Sequence, residues 1–478
     1  MAREQRSAMQ RSPPHIVSHA QWEHAMLEHL ERQKSLTTNQ WKIFAAATIG
    51  DMLDFFDFYL IGFILAFVLK GWDLTYGQSG AILLASGIAA PLGSLFWGWM
   101  ADKIGRRKVM ILTVLNFSLP TGLMALTPDQ GWLFLSLCRF FVGLGVTGLY
   151  TVDIAIVQEF VPASKRGRIT GLTTALLPAG TLLGAVTGAY LEHYIGWRGL
   201  FAVGLLPAAL TLLIRAWVPE SPHWLIGKGR LDEARRSLAW ALQVDPKQIE
   251  LPSSAPPVQS VSWRELFKYP RSVAVSCLTG LTQTGNTGLT LWLTTLLVLV
   301  LKISPADASF LVIWFGVAGI AGRFFCAWAS DAVGRRPSVV FVCVMAALAT
   351  SLSGYLRDAH LGTISVFYIM VLVAGFFGGG LYAIVGPYMA EVWPSKLRSS
   401  GMGLGYGVGN LGKFIGPAGL ALIAGSSNYV SPQATLDALV PAMNFFAFWY
   451  VVGALAIWFI GFETRGRTIQ DIDRALTA

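Results

Sequence analysis

Gly98-Trp-Met-Ala-Asp102-Lys-Ile-Gly105-Arg106-Arg107 is the stretch of sequence that decides the fold, because the chain contains it twice. The second copy is Ala327-Trp-Ala-Ser-Asp331-Ala-Val-Gly334-Arg335-Arg336. A second pair keeps nearly the same offset: Glu159-Phe-Val-Pro162 with Arg166, and Glu391-Val-Trp-Pro394 with Arg398. A third pair is looser: Pro219-Glu220-Ser221-Pro222 and Phe462-Glu463-Thr464-Arg465. The repeats indicate a chain made of two copies of one unit.

The sequence around these repeats has the composition of a membrane protein. Hydrophobic residues make up 54% of the 478 residues, charged residues only 13%, and the mean hydropathy is +0.54. A bilayer core of about 30 Å requires about 20 apolar residues per helix. Twelve runs satisfy this length, and we number them as spans 1 to 12: 42–69, 76–100, 109–127, 132–158, 169–191, 198–218, 271–300, 306–329, 338–356, 363–390, 399–424 and 440–461.

Each copy of the repeat contains six spans. We therefore predict an all-α membrane protein with twelve transmembrane helices in two pseudo-symmetric six-helix bundles. The predicted parts are an N-terminal segment (1–41), a first bundle (42–218), a polar linker (219–270), a second bundle (271–462) and a tail (463–478). Within the linker we expect short helices near 231–241 and 262–268, and a flexible Pro/Ser stretch over 251–258.

Basic residues predict the orientation, because Lys and Arg remain on the cytoplasmic side. Lys70, Arg198, Lys302 and Arg357 fall in the outside loops, and Arg139, Arg215, Arg323 and Lys413 fall within spans. All the other basic residues lie at the opposite ends of the spans, so both termini are predicted to be cytoplasmic. The net charge of +9 then reflects topology and attraction to lipid headgroups, and we expect no nucleic-acid partner.

The sequence lacks the patterns of a cleavable signal peptide, a disulfide, a metal site and an enzyme active site. The polar segment 1–41 lacks the apolar core of a cleavable signal peptide. The four cysteines lie inside predicted spans without paired spacing, so we expect no disulfide and no metal site. No nucleophile elbow, zinc-binding His pair or phosphate-binding Gly-Lys loop occurs, and the chain is predicted not to be an enzyme and to need no cofactor.

Acidic residues inside span 1 are the main indication of function. Asp51, Asp54 and Asp57 interrupt an otherwise apolar run. A charge at membrane depth is costly, and where it persists it marks a functional site. Asp57 lies 57 − 42 residues from the predicted start of the span, which places it about 22 Å into the membrane.

The paired loops resemble those of the major facilitator superfamily, over the chain from span 1 to the tail. The motifs at 219–225, 139–143 and 462–467 resemble the sugar-porter-like branches, whereas the first span, 50–59, is similar to proton symporters of metabolites, aromatic acids and sialate. The resemblance implies a transporter that alternates access between its two halves, and we expect it to act as a monomer in a bacterial inner membrane.

The resemblance also implies which residues couple protons to transport. In sugar-type proton symporters, an acid at the position of Asp57 pairs with an arginine at the position of Arg139, and protonation of the acid releases the pair. We carry over both roles as a hypothesis. Asp54 is the alternative proton site, and Asp51 lies nearer the cytoplasm.

Lys413, near the middle of span 11, is the best sequence indication of substrate charge. A cation at this depth favours an anionic ligand, and the alternative is an internal ion pair with Asp153 or an acid of span 1. Aromatic-acid symporters carry an arginine at the position of Asn410, where this chain has asparagine. Four more candidates for substrate contact are Gln283, Asn286, Tyr382 and Asp153.

Charged residues in the repeated motifs are interpreted as conformational gates, because ion pairs at helix ends can form in one state and break in the other. We expect Arg106 to pair with an acid across the gap, Glu159 with Arg166, and Glu391 with Arg398. The full predicted set is Asp102, Arg106, Glu159, Arg166, Glu220, Asp331, Arg335, Glu391, Arg398 and Glu463.

The function expected from the sequence is proton-coupled symport of a small organic anion, a mono- or aromatic carboxylate. Two alternatives from the same class stay open, a proton-coupled sugar or polyol porter and proton-driven efflux of an organic compound. A non-transporting membrane sensor on the same fold is the alternative from another class. The expected partners are the substrate, protons and the lipid bilayer.

Overall fold

A computed structural model describes residues 30, 33, 35–249, 263–394 and 397–465, apart from a few side chains within helices. In the first half the helices are Thr38–Trp72 (span 1), Tyr76–Ile104 (span 2), Arg106–Leu123 with the turn Met124–Leu126 (span 3), Trp132–Phe160 (span 4), Ala163–Leu176, Pro178–Val186 and Thr187–Leu191 (span 5), then Glu192–Val203, Leu206–Ala209 and Leu210–Trp217. Gly196, at φ 64°, separates the end of span 5 from span 6.

In the second half the helices are Pro270–Gly280 and Gln283–Leu301 (span 7), Pro305–Val333 (span 8), Arg335–Tyr355 (span 9), Val366–Glu391 (span 10), Arg398–Asn410 and Gly412–Ile423 (span 11), then Pro432–Leu455 and Ala456–Ile460 (span 12). The strands His360–Leu361 and Ile364–Ser365 form a small hairpin between spans 9 and 10. The predicted fold class is confirmed, with twelve spans in two six-helix bundles.

Spans 6 and 11 differ from the other ten in the length of their helices. Ten helices among the described residues are long and apolar enough to cross a membrane, and they include span 7, which continues past its break at Gly280. Span 6 is broken near Gly204, and span 11 is broken at Leu411, so neither contains one long helix. A broken span is tolerated at membrane depth where its free backbone groups face protein or a cavity.

Side chains from the loops define where the long helices begin. Thr37 and Gln40 form a capping box at the start of span 1, with the Gln40 Oε1 accepting from the Thr37 N–H at 2.7 Å. Thr75 and Gln78 form the same box at the start of span 2. These boxes satisfy N–H groups that the first helical turn leaves without partners, so the starts of spans 1 and 2 are sharply defined.

The two halves meet along three pairs of spans. Span 1 packs on span 7, span 2 on span 11, and span 5 on span 8. At the end of the bundle opposite the termini, the backbone joins the halves directly. The Tyr76 N–H donates to the Asn428 carbonyl at 2.9 Å, the Gly77 N–H to Ser426 at 2.9 Å, and the Val430 N–H to Leu74 at 3.0 Å. This end of the interface is therefore closed.

The linker contains the helices Pro222–Gly227 and Leu231–Leu242 and the short turns Pro246–Gln248 and Trp263–Lys268. The two predicted short helices thus have counterparts, while the predicted flexible stretch 251–258 lies outside the described residues. The linker packs on the first half, because Asn39 donates from its side chain to the Trp240 carbonyl at 2.7 Å.

Candidate functional site

The three carboxylates of span 1 lie inside the protein and away from its lipid-facing surface. Asp51, Asp54 and Asp57 are 0%, 2% and 1% exposed. Neither carboxylate oxygen of Asp51 or Asp57 has a hydrogen-bond partner among the described residues. Buried carboxylates without partners are unfavourable as anions, so these groups are suited to take up and release protons.

Arg139 lies beside Asp57 but binds the backbone. Its guanidinium donates to the Asp57 carbonyl oxygen at 3.1 Å, to the Phe58 carbonyl oxygen at 2.9 Å and to Ser86 Oγ at 2.7 Å. The side chain is 0% exposed. The side-chain pair between Arg139 and Asp57 is absent from this conformation within the described residues, although the two groups are close enough to interact electrostatically.

Lys413 approaches the same region from span 11. Its ammonium lies 5.1 Å from the centre of the Phe58 ring, and the guanidinium of Arg139 lies 5.5 Å from that centre. The ammonium also interacts electrostatically with Asp54. Both Phe58 and Asp54 belong to span 1, so these interactions favour, for Lys413, the alternative of an internal charge partner in that span.

Asp153 from span 4 completes a cluster of acids with span 1. It is 1% exposed, interacts electrostatically with Asp51 and Asp54, and neither of its carboxylate oxygens has a partner among the described residues. A Cβ placed on Gly50 would lie 3.3 Å from Asp153 Oδ2. The sequence assigned Asp153 to the substrate, whereas the structure places it with the acids of span 1.

The breaks in spans 7 and 11 face each other. A Cβ on Gly280, at the break in span 7, would lie 2.5 Å from the Gly405 carbonyl oxygen, and one on Gly409 would lie 3.0 Å from the Gly280 carbonyl oxygen. Helices interrupted at membrane depth commonly form transporter ligand sites. Asn410 is the last residue of its helix and is partly exposed at this break.

Three predicted substrate residues lie near these breaks. Gln283 and Tyr382 line a small cavity together with Tyr406. Asn286 lies beside it, because a Cβ on Gly378, another lining residue, would be 3.2 Å from Asn286 Oδ1. Tyr382 interacts with Asn286 and Thr287. The structure therefore brings Gln283, Asn286 and Tyr382 together, on the second half of the protein.

Sequence reasoning missed Arg323 of span 8. Its side chain is buried at 8% exposure and lies over the Tyr382 ring, 5.6 Å from the ring centre. Arg323 could have been found by the criterion used for Lys413, which is a basic residue inside an otherwise apolar span. The sequence placed Arg323 within a span but gave no indication of which face of the helix it occupies.

The first half carries a set of polar contacts at the end near the termini. Arg106 forms an ion pair with Glu159, and Ser221 donates from its hydroxyl to the same carboxylate. Glu220 Oε1 accepts from the backbone N–H groups of Arg106 at 2.8 Å and of Arg107 at 3.1 Å. Glu220 therefore caps the helix of span 3, where a negative charge is stabilised by the helix dipole.

The second half repeats these contacts. Glu391 lies 3.5 Å from Arg335 Nε and accepts from the Thr464 hydroxyl at 2.5 Å. Glu463 caps span 9 through the N–H groups of Arg335 at 2.9 Å and Arg336 at 3.1 Å. The looser third repeat of the sequence therefore supplies equivalent caps, and Ser221 and Thr464 are equivalent donors that sequence reasoning had not assigned.

Two predicted gate pairings differ from the observed ones, and the third, Glu159 with Arg166, is not tested. Glu391 contacts Arg335 and Thr464 in place of Arg398, and Glu159 contacts Arg106, while the side chain of Arg166 lies outside the described residues. Arg106 finds its acid within its own half and not across the gap. The physical reason is that the loop before span 3 or span 9 places its arginine directly beside the end of span 4 or span 10.

The two acids of the repeated loops, Asp102 and Asp331, differ in exposure from the acids that cap the helices. Asp331 pairs with Arg335 at 2.5 Å with 74% of its side chain exposed, and Asp102 interacts electrostatically with Arg106. The Asp102 carbonyl accepts from Trp224 Nε1 at 2.9 Å, which ties the linker to span 2. An exposed ion pair contributes little stability, so these acids are better placed to exchange partners than to hold the fold.

Glu463→Gln is expected to lower the unfolding temperature at neutral pH by about 1–3 °C. Burial raises the pKa of the Glu463 carboxyl, but hydrogen bonds from the N–H groups of Arg465, Arg335, Arg336 and Thr464 hold that pKa below its ordinary value. Because the pKa of the Glu463 carboxyl is lower in the folded state than in the unfolded state, its negative charge stabilises the fold fully at pH values above the unfolded-state pKa. This stabilisation is lost as the pH falls through the folded-state pKa. The measurement is thermal unfolding in detergent at neutral and acidic pH.

The matched control for this prediction is Glu265→Gln, since Glu265 is an exposed glutamate in the linker turn. We expect the control to unfold like the wild type at every pH. A difference between Glu463→Gln and the wild type that persists unchanged in acid would contradict the role of the charge.

Comparison with known sequences places these features in one family. The sugar (and other) transporter family matches residues 42–476. The niacin transporter NiaP of Acinetobacter baylyi is 29% identical over 89% of this chain and 94% of its own length. The probable 4-methylmuconolactone transporter of Cupriavidus pinatubonensis is 29% identical over 92% and 95%. The sialic acid transporter NanX of Escherichia coli is 25% identical over 91% and 96%.

Among solved structures, the partially occluded inward open conformation of the xylose transporter XylE from E. coli is similar in fold. It superposes with a TM-score of 0.69 at 18% sequence identity, covering 90% of this chain and 100% of XylE. With twelve spans, two repeated halves and a family match over nearly the whole length, this chain belongs to the sugar (and other) transporter family of the major facilitator superfamily and is a multi-pass membrane transporter, not an enzyme.

Proposed function

We propose that this transporter is a proton-coupled symporter of a small organic anion, a mono- or aromatic carboxylate. The observation that carries the proposal is the uneven distribution of charge across the interface. Three acids without hydrogen-bond partners among the described residues, Asp51, Asp57 and Asp153, come from the first half together with one buried cation, Arg139, whereas the second half supplies the buried Arg323 and the partly buried Lys413. A bound anion neutralises the cations of such a site, and a bound proton neutralises one of its carboxylates. The arrangement therefore favours transport of the anion and the proton in the same step.

Asp57 is proposed as the proton-coupling acid, with Asp54 as the second candidate and Arg139 as the switching partner. Arg139 is held by two carbonyl oxygens in this conformation while the Asp57 carboxylate has no partner. That arrangement suits a protonated Asp57 that has released its arginine. When the proton leaves, the guanidinium is the nearest group that can stabilise the carboxylate.

Alternating access is proposed to proceed by rocking of the two halves about the site. In this conformation the end opposite the termini is closed by backbone hydrogen bonds between the halves. The capped ion-pair sets around Glu159 and Glu391 hold each half together as a unit at the other end. With both termini cytoplasmic, as the basic residues indicate, the closed end is the periplasmic one.

The names of the relatives support an organic acid as substrate. They include transporters described for niacin, cis,cis-muconate and benzoate, all at 25% identity or above. The similarity to the xylose transporter shows the fold alone. We therefore favour a carboxylate over a sugar, in the inner membrane of a bacterium, with the protein acting as a monomer and with 219–270 as the cytoplasmic linker between bundles 42–218 and 271–462.

The proposal is tested in two steps. Purified protein is screened by thermal shift against benzoate, nicotinate, muconate and, as the contrasting class, xylose and glucose. The best ligands are then followed into proteoliposomes with and without an imposed pH gradient. We expect stabilisation by carboxylates, and accumulation that needs an acidic outside. Stabilisation by sugars alone would replace the anion with the sugar alternative, and filling that ignores the pH gradient would remove proton coupling.

A further inference from the structure

Arg323 is a buried cation whose charge no acid of the described residues balances. Its terminal nitrogen Nη1 donates to the Thr174 carbonyl oxygen in span 5, and its Nε has no acceptor among the described residues. A guanidinium carries five N–H donors. Most of the N–H donors of Arg323 therefore remain available to a ligand at the interface of spans 5 and 8, where the two halves meet.

The groups around Arg323 are phenols. Tyr59, Tyr150, Tyr382 and Tyr406 all interact with it electrostatically. These tyrosines come from spans 1, 4, 10 and 11, so both halves of the protein contribute to the same cluster. Tyrosine offers an apolar ring face for stacking together with a hydroxyl for hydrogen bonding, which is the surface that a flat, polar-ended molecule requires.

Two buried acids of the first half lie nearer to other cations than to Arg323. Asp57 interacts electrostatically with Arg139, and Asp54 with Lys413. No such interaction links any carboxylate of the described residues to Arg323. A buried guanidinium without a counter-charge is strongly unfavourable, so a bound anion stabilises Arg323 more than it stabilises Lys413.

We propose that Arg323 binds the carboxylate of the transported anion and that the surrounding tyrosines hold a flat ring behind it, while Lys413 serves as the charge partner of Asp54. The inference rests on the proposed function and narrows its substrate to a planar, preferably aromatic monocarboxylate. Arginine is suited to this role because its planar fork matches the two oxygens of a carboxylate, whereas lysine offers a point charge.

The test compares a carboxylate with its neutral amide in variants that keep side-chain size. Benzoate and benzamide have the same ring and nearly the same shape, so the ratio of their affinities reports recognition of the charge. In Arg323→Gln we expect benzoate affinity to fall about 10- to 100-fold, with benzamide little changed, so that the ratio approaches one. Lys413→Gln is expected to keep a clear preference for benzoate.

Two further variants serve as controls for the role of Arg323. Arg323→Lys keeps the charge without the planar fork, and we expect an intermediate benzoate preference. Arg236→Gln is the matched control, because Arg236 is exposed on the linker helix Leu231–Leu242, and it should bind like the wild type. Thermal unfolding without ligand and elution as a single species show whether each variant is folded, and retained benzamide binding confirms that its site is formed.

Failure of the inference is distinguishable from failure of the proposed function. If the wild type prefers benzoate and Arg323→Gln keeps that preference, or if Lys413→Gln alone loses it, then Arg323 is not the carboxylate anchor and the anion symporter still stands. If the wild type binds neither benzoate nor the other carboxylates of the screen, the proposed function falls and the inference with it.

Discussion

Asp57→Asn is expected to reduce accumulation driven by a pH gradient to the level of protein-free liposomes, while exchange of preloaded substrate remains partly intact. Asparagine has the size of a protonated aspartate but cannot release a proton, so it mimics one protonation state permanently. Asp57 is 1% exposed, and both of its carboxylate oxygens lack partners among the described residues. We therefore expect Asp57→Asn to fold normally and to lose the coupling between proton movement and substrate transport.

The measurement is uptake into proteoliposomes, first with an acidic exterior and then as counterflow without a gradient. Asp73→Asn is the matched control, because Asp73 is exposed at the end of the same helix and has φ 44°, a conformation that asparagine adopts readily. Undiminished accumulation in Asp57→Asn would remove Asp57 from the mechanism. Asp54→Asn made in parallel then shows whether the neighbouring acid carries the proton instead.

Gly87→Leu is expected to slow transport at least about tenfold by preventing closure of the interface between the halves at the end opposite the termini. A Cβ on Gly87 in span 2 would overlap the Lys413 carbonyl and lie 2.8 Å from the Phe414 nitrogen in span 11. Both neighbours are backbone atoms, which cannot rotate away as a side chain can. Overpacking of this kind costs about 1–3 kcal/mol, and in a two-state transporter that cost shifts the population toward the open state.

Closure is measured with a cysteine pair at the same end. Thr75 and Tyr429 are partners in an antiparallel β-bridge at this end, and residues paired in this way have Cα atoms about 4.5–5.5 Å apart, so Thr75→Cys with Tyr429→Cys is within reach of a disulfide when the end is closed. We expect Gly87→Leu to reduce the rate of this crosslink together with transport. Gly71→Leu is the control, since a side chain there meets nothing within 4 Å. Normal crosslinking in Gly87→Leu would show that spans 2 and 11 do not need this close approach.

Much of the fold was predictable because it depends on local signals. Hydrophobic length predicts each span, and the repeated loops at Asp102 and Asp331 predict the two halves. The breaks in spans 6 and 11 were not predicted, because apolar residues continue through Gly204 and Leu411. Hydropathy depends on composition, whereas a helix break at membrane depth depends on the backbone partners that neighbouring spans provide.

The sequence by itself determined the twelve spans, their pairing into equivalent halves and the presence of acids and cations at membrane depth. The tertiary structure alone decided which charges meet: Glu159 with Arg106, Glu391 with Arg335, Lys413 with Asp54, and Arg323 with tyrosines from both halves. The physical reason is that apolar content sets whether a helix spans the membrane, while its rotation and its neighbours are set by packing between residues far apart in the chain.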